Sequence, residues 1–209
     1  MAANGVTIVA EESFNAKDTD FTVQLVKVKN AGAQAIVCWG TNPAPAILTR
    51  NYKQLGLSIP LIQSHGVANA TYLKLSEGAA EGVLLPAGKL FAAESLPATD
   101  PQRKVLLQYA ADFKARFNRE ADTFGGHAWD GLQILIAALA KSGPDPIKLR
   151  EAIEKTKGFV GIGGVFNYSP TDHDGLTMDA VVLLRVEGGQ FKFYRRSTGD
   201  RCTSSSGRS

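Results

Sequence analysis

The chain reads as an α/β protein built on a parallel βαβ sheet. Short apolar strand runs alternate with helical segments at crossover spacing, and two of those runs, Ala35–Trp39 and Ile59–Ile62, lead directly into polar, glycine-containing loops. A third observation is the change of pattern after residue 86, where strands give way to three consecutive helices and then to a terminal hairpin.

Val6-Thr7-Ile8-Val9-Ala10 has strand composition, and a polar loop follows it. Asp18-Thr19-Asp20 offers helix caps, and Phe21, Leu25 and Val28 then fall at i, i+4 and i+7, with Gly32 as a stop. The Ala35–Trp39 strand enters the loop Gly40-Thr41-Asn42-Pro43, and a helix from about Pro45 to Leu55 is closed by Gly56. The third strand, Ile59–Ile62, enters the loop Gln63-Ser64-His65-Gly66-Val67. Asn69 is a cap for a short helix carrying Tyr72, Leu73 and Leu75. A fourth strand, Gly82–Leu85, is expected to stop at Pro86, which has no N–H for a ladder.

Residues 87–100, rich in Ala, Pro and small polar residues, read as a linker. Asp100-Pro101 opens a helix running to about Asn118, a second helix spans about Phe124 to Lys141 and ends at Ser142-Gly143-Pro144, and a third starts at Asp145-Pro146. Met178–Val186 and Phe191–Tyr194, joined through Gly188-Gly189, read as a hairpin, and the Ser-rich residues 197–209 as a flexible tail. The stretch Leu132–Ala140 is apolar nearly all round, which calls for cover on more than one side. The neighbouring helices bring no strands between them to supply that cover. The sequence therefore reads as incomplete, with exposed apolar surface and self-association, such as a homodimer, expected there.

Composition excludes several classes of function. A net charge of +3, with 23 basic against 20 acidic residues, gives no electrostatic case for nucleic acid, and the basic residues are scattered apart from Arg195-Arg196 near the end, which gives no binding stripe. Cys38 lies in an apolar run and Cys202 in the tail, so no disulfide framework is indicated. The most apolar run is far shorter than the roughly 20 residues of a membrane-spanning helix, and the start of the chain lacks the charged and apolar regions of a signal peptide. The glycines of 158–164 follow a helix and lack a Lys-Ser/Thr, so they do not make a phosphate loop. Asp172-His173-Asp174-Gly175 resembles part of a calcium loop, but Val181 stands where the closing Glu belongs. No cofactor or metal is expected. Ser64 and His65 are adjacent, so their side chains diverge and form no nucleophile–base pair, and no hydrolase motif occurs.

In an open α/β sheet, ligands bind outside the carboxyl ends of the strands. The two strand-end loops are therefore the candidate site, with Trp39, Gly40, Thr41, Asn42, His65 and Gly66 as the ligand-binding residues. Trp39, a large aromatic ending an apolar strand, is expected to be mostly buried, with contact to ligand as an apolar wall as its alternative role. For His65 the alternatives are ligand contact and a backbone-satisfied histidine at a strand end.

An ordered set of short motifs resembles a known family. These are Gly32–Gly40, Ala46-Ile47-Leu48 through Gly56-Leu57 and Pro60, Glu81-Gly82-Val83, Ala128-Trp129-Asp130-Gly131, and Gly161-Ile162-Gly163-Gly164-Val165-Phe166. Over about residues 5–195 the chain is similar to the leucine/isoleucine/valine-type, or type I, periplasmic solute-binding proteins of ABC importers. The resemblance implies two α/β lobes that close on a ligand like a hinge. It assigns residues 1–86 to the second lobe, 87–165 to a linker and helices that return to the first lobe, and 166–196 to C-terminal strands. Most of the first lobe would be missing. It further implies a periplasmic or extracellular location, a permease partner, an amino-acid or small-carboxylate ligand, and no enzymatic activity. A ligand-sensing regulator of the same fold is the second expectation, and a hydrolase on a flavodoxin-like sheet the third. In the family, the position of His65 holds a carboxylate for the ligand ammonium. An imidazole instead donates well to a carboxylate or phenolic oxygen.

Overall fold

The structure is a computed structural model, which describes residues 5–194. Five strands form one mixed sheet: β1 (Ile36–Cys38), β2 (Leu61–Gln63), β3 (Leu84–Gly88), β6 (Val181–Glu187) and β7 (Gln190–Phe193), in that spatial order. β1, β2 and β3 run parallel, with Ile36 opposite Leu61 and Ile62 opposite Leu84, while β6 and β7 are antiparallel additions. The parallel part has the crossover helices that the alternation predicts, α2 (Ala44–Gln54) and α3 (Ala70–Leu75), and α1 (Thr22–Asn30) precedes β1.

All three helices pack on one face. Phe21 and Leu25 from α1 and its cap, Ala44, Ala46 and Leu48 from α2, and Tyr72 from α3 share one core with Ile36, Cys38, Leu61, Leu85, Leu184 and Val186. Strand side chains alternate between faces, so the residues between these point away from the helices. Val37 is 57% exposed and Leu183 38%, on a face that parallel sheets normally cover with a second layer.

Helix ends follow the sequence closely. Gly32 and Gly56 take the positive φ that stops α1 and α2, Asn69 Oδ1 caps α3 by accepting from Tyr72 N, and Asp145 caps α6 (Pro146–Glu154). Gly188 and Gly189 both have positive φ, as a two-residue turn matched to strand twist requires. Their N–H groups are held by the Glu81 carboxylate.

Four expectations are corrected. Residues 6–10 form no strand: Val6, Ile8 and Val9 are exposed, because the alternating pattern finds no ladder to join. β3 does not stop at Pro86 but continues to Gly88, with Pro86 opposite Leu183. The register to β2 reaches only Leu84, so the proline faces no parallel partner that would need its N–H. The 87–100 stretch is no open linker: Lys89–Ser95 forms a 3-10 helix whose Leu90 and Ala93 join Leu96, Leu106 and Ile162 in a second core. The terminal hairpin also begins later than expected, since Met178–Ala180 is a 3-10 turn before β6.

The second core joins the 3-10 segment to α4 (Arg103–Phe117) and to Ile162, which lies in the turn between β4 (Phe159–Val160) and β5 (Val165–Phe166), a small antiparallel pair; α5 (Thr123–Ser142) and α6 complete this part of the chain. α5 buries Ile134 and Ala138 but leaves Leu132 and Ile136 each 50% exposed, so the expected bare apolar surface is present. None of the described helices is long and apolar enough to cross a membrane. The tail 197–209, Cys202 and Arg195-Arg196 lie outside the described residues.

Candidate functional site

β1 and β2 are adjacent and parallel, so their carboxyl ends open side by side and their loops meet. Ser64 N donates to Cys38 O at 2.9 Å, carrying the ladder one step past the strands. Ser64 Oγ then donates to Gly40 O at 2.6 Å and receives Gly40 N at 3.4 Å. A Cβ on Gly66 would lie 2.9 Å from Thr41 Cγ2 and 3.1 Å from Gly40 O, so only glycine permits this approach of one loop to the other.

On the rim formed in this way, the Trp39 and His65 rings stand edge to face with centroids 5.9 Å apart. Both are exposed. At 69% exposure Trp39 is not the core residue expected of a strand-ending aromatic; β1 ends at Cys38, and the tryptophan follows the pleat onto the face opposite α1, α2 and α3. Thr41 is exposed too. Asn42 sits deeper. Its Nδ2 donates to Asn69 Oδ1 at 3.2 Å, and its Oδ1 is buried and unpaired, so its amide braces the loop instead of reaching outward. The structure thus brings all six sequence-predicted residues together, with Trp39, Thr41 and His65 presenting side chains to solvent.

Below the rim lies a buried polar chain that sequence reading did not single out. Gln63 Nε2 donates to Thr49 Oγ1 at 3.0 Å, and that oxygen is 2.9 Å from Tyr72 OH. Thr49 also donates to Pro45 O, and Ser76 Oγ donates to Tyr72 O. Burial pushes the Tyr72 hydroxyl and the nearby Cys38 thiol each up to about 12, leaving both protonated and chemically quiet. A polar residue at the strand end (Gln63) paired with a Thr inside an amphipathic helix was the available signal.

A second missed feature is the Asp130 clamp. Asp130 on α5, 2% exposed, accepts from Ile162 N at 2.8 Å and Gly163 N at 2.6 Å in the turn between β4 and β5. Gln102 Nε2 donates to the carbonyls of Gly161 and Ile162 on the same turn. A Cβ on Gly161 or Gly163 would come within 2.6 Å of Asp130 or His127, which explains the glycine cluster as close packing. The 172–175 turn is likewise self-satisfied: Asp172 Oδ1 accepts from Asp174 N and Gly175 N.

Comparison with known proteins places these features in a family. A family model described as periplasmic binding protein matches residues 1–190. The chain is 29% identical over 150 residues to a leucine-, isoleucine-, valine-, threonine- and alanine-binding protein of Pseudomonas aeruginosa, covering 71% of this chain and 38% of the relative. Among solved structures, an extracellular ligand-binding receptor from Rhodopseudomonas palustris is 27% identical with a TM-score of 0.82, over 93% of this chain and 57% of that one. A leucine-binding protein from Thermotoga maritima is 25% identical with a TM-score of 0.74, over 87% and 49%. The chain spans less than half the length of the curated relatives it matches. The chain belongs to the periplasmic binding protein family, in the type I group that its motifs resemble.

Proposed function

We propose that the chain carries one wall of the ligand cleft of a periplasmic solute-binding protein that serves an ABC importer. The observation that carries this reading is the contact between the loops at two adjacent parallel strand ends, with Trp39, Thr41 and His65 exposed on their shared rim. Residues up to the end of β3 at Gly88, together with the terminal hairpin, form this lobe, and the following residues to 165 belong with the opposite lobe; the two separate cores, the first including Ala87 and the second beginning at Leu90, support that division. Closure of the lobes presents the loaded protein to a membrane permease.

The relatives named for leucine, isoleucine and valine make an amino acid the first ligand class, and a small carboxylate the second. The loops 39–43 and 63–69 contain no acidic residue. On this wall the ligand therefore meets donors, Thr41 and the His65 ring, and the face of Trp39. That chemistry fits a carboxylate or phenolic oxygen better than an ammonium. The function is binding without turnover: Ser64, the hydroxyl adjacent to His65 in sequence, is 2% exposed and its Oγ is committed to Gly40 O.

A thermal-shift screen of the full-length protein with leucine, isoleucine, valine, benzoate and 4-hydroxybenzoate tests the reading. It predicts stabilisation by at least one of them, reduced in His65→Ala. Stabilisation by leucine that is indifferent to His65, Thr41 and Trp39 substitutions contradicts it.

A further inference from the structure

We infer that Ser64 and Asn69 are positioning residues that fix the first ligand loop onto the second, and so set the spacing of Trp39 and His65 without either touching ligand. The inference rests on the site proposed above and goes one layer deeper.

The two residues flank His65 in the second loop and grip the first loop at both of its ends. Ser64 holds the Gly40 peptide from two sides, donating to its carbonyl at 2.6 Å and receiving its N–H at 3.4 Å. Asn69 uses a single oxygen for two tasks. Oδ1 accepts Tyr72 N at 3.1 Å, which starts α3, and also Asn42 Nδ2 at 3.2 Å, which secures the far end of the first loop. The helix cap and the loop brace therefore share one atom, so the first loop is referenced to α3 as well as to β2. Between the grips, the glycine at 66 lets Thr41 close against the second loop. A loop held at both ends loses less freedom when ligand docks, so its side chains bind from a pre-ordered geometry.

Side-chain length separates the two tasks of Asn69. Serine caps a helix about as well as asparagine but is too short to reach Asn42 Nδ2, so Asn69→Ser keeps the cap and removes the brace. Asn69→Asp keeps both acceptors. Ser64→Ala releases the Gly40 peptide.

The readout needs no ligand. The chain has two tryptophans, so Trp129→Phe leaves Trp39 as the sole indole emitter. Protonated imidazole quenches indole emission on contact, and a fluorescence step on acidification that His65→Ala abolishes reports the ring pair. The expected result is loss of most of that step in Asn69→Ser and in Ser64→Ala, with melting midpoints that still show a folded protein, and its return in Asn69→Asp. A full step in Asn69→Ser and Ser64→Ala overturns the inference, because residues that only cap α3 or fill the core would change melting and leave the rings paired. Absence of the step in the Trp129→Phe parent overturns it as well, by removing the contact it explains. Failure of the proposed binding function shows separately, as no ligand response with the step intact.

Discussion

Removing the Asp130 carboxylate tests whether the glycine-rich turn is a structural clamp. Asp130→Ala strips acceptors from two buried N–H groups, Ile162 N and Gly163 N. Each orphaned buried donor costs about 1–3 kcal/mol. Relief of the desolvation that the buried carboxylate suffers offsets part of this, leaving a net loss of about 2–4 kcal/mol. For a chain of this size that lowers the melting midpoint by roughly 5–15 °C. Asp130→Asn keeps one acceptor oxygen and turns an NH2 toward the other donor, so it falls between wild type and alanine. Acid adds a second handle. Burial raises the Asp130 carboxyl above its ordinary 3.8, while the two N–H bonds and His127 pull it partly back. A carboxyl raised on folding contributes stability that is complete below its unfolded value and is lost as pH rises through its folded value. The advantage of wild type over Asp130→Asn is therefore largest below about pH 4 and shrinks as Asp130 ionises. Urea unfolding followed by circular dichroism measures both effects. An Asp130→Ala variant within about 0.5 kcal/mol of wild type, the range of an ordinary surface change, refutes the clamp.

Other outcomes follow from the same structure. His65→Glu places an anion on the rim and shifts preference from carboxylate ligands toward amino acids by roughly ten- to a hundred-fold, the size of one charge-assisted hydrogen bond, read by calorimetry on the full-length protein. In a Cys202→Ser background, Cys38 resists iodoacetamide at neutral pH until the protein unfolds, because burial keeps its thiol protonated; rapid labelling of the native state contradicts its burial. Leu132→Glu with Ile136→Lys, both on the bare face of α5, reduces self-association in light scattering, and a wild-type chain that is already a monodisperse monomer contradicts the expected association.

What was legible in the sequence was local chemistry. Asn69 and Asp145 as caps and Gly32, Gly56 and Gly143 as stops act within a turn of their own position, and all are where the residues place them. The meeting of the two strand-end loops was legible for a related reason, since apolar strand followed by glycine-containing loop is a short-range pattern. Features that depend on distant partners were not. Val6–Ala10 has strand composition without a ladder, and Pro86 stays in a strand because β2 has no partner opposite it. Asp130 is separated from the 162–163 turn by more than thirty residues, and its only local sign was an acid inside an apolar helix. The exposure of Trp39 depends on which sheet face α1, α2 and α3 cover, a property of the assembled layers.

The account turns on where ligand docks, and amide chemical-shift mapping of this chain with millimolar leucine or benzoate measures that directly. The prediction is weak binding whose shift changes centre on residues 39–42 and 64–69. Changes centred elsewhere, none at these loops, or micromolar affinity for leucine in this chain alone would contradict it.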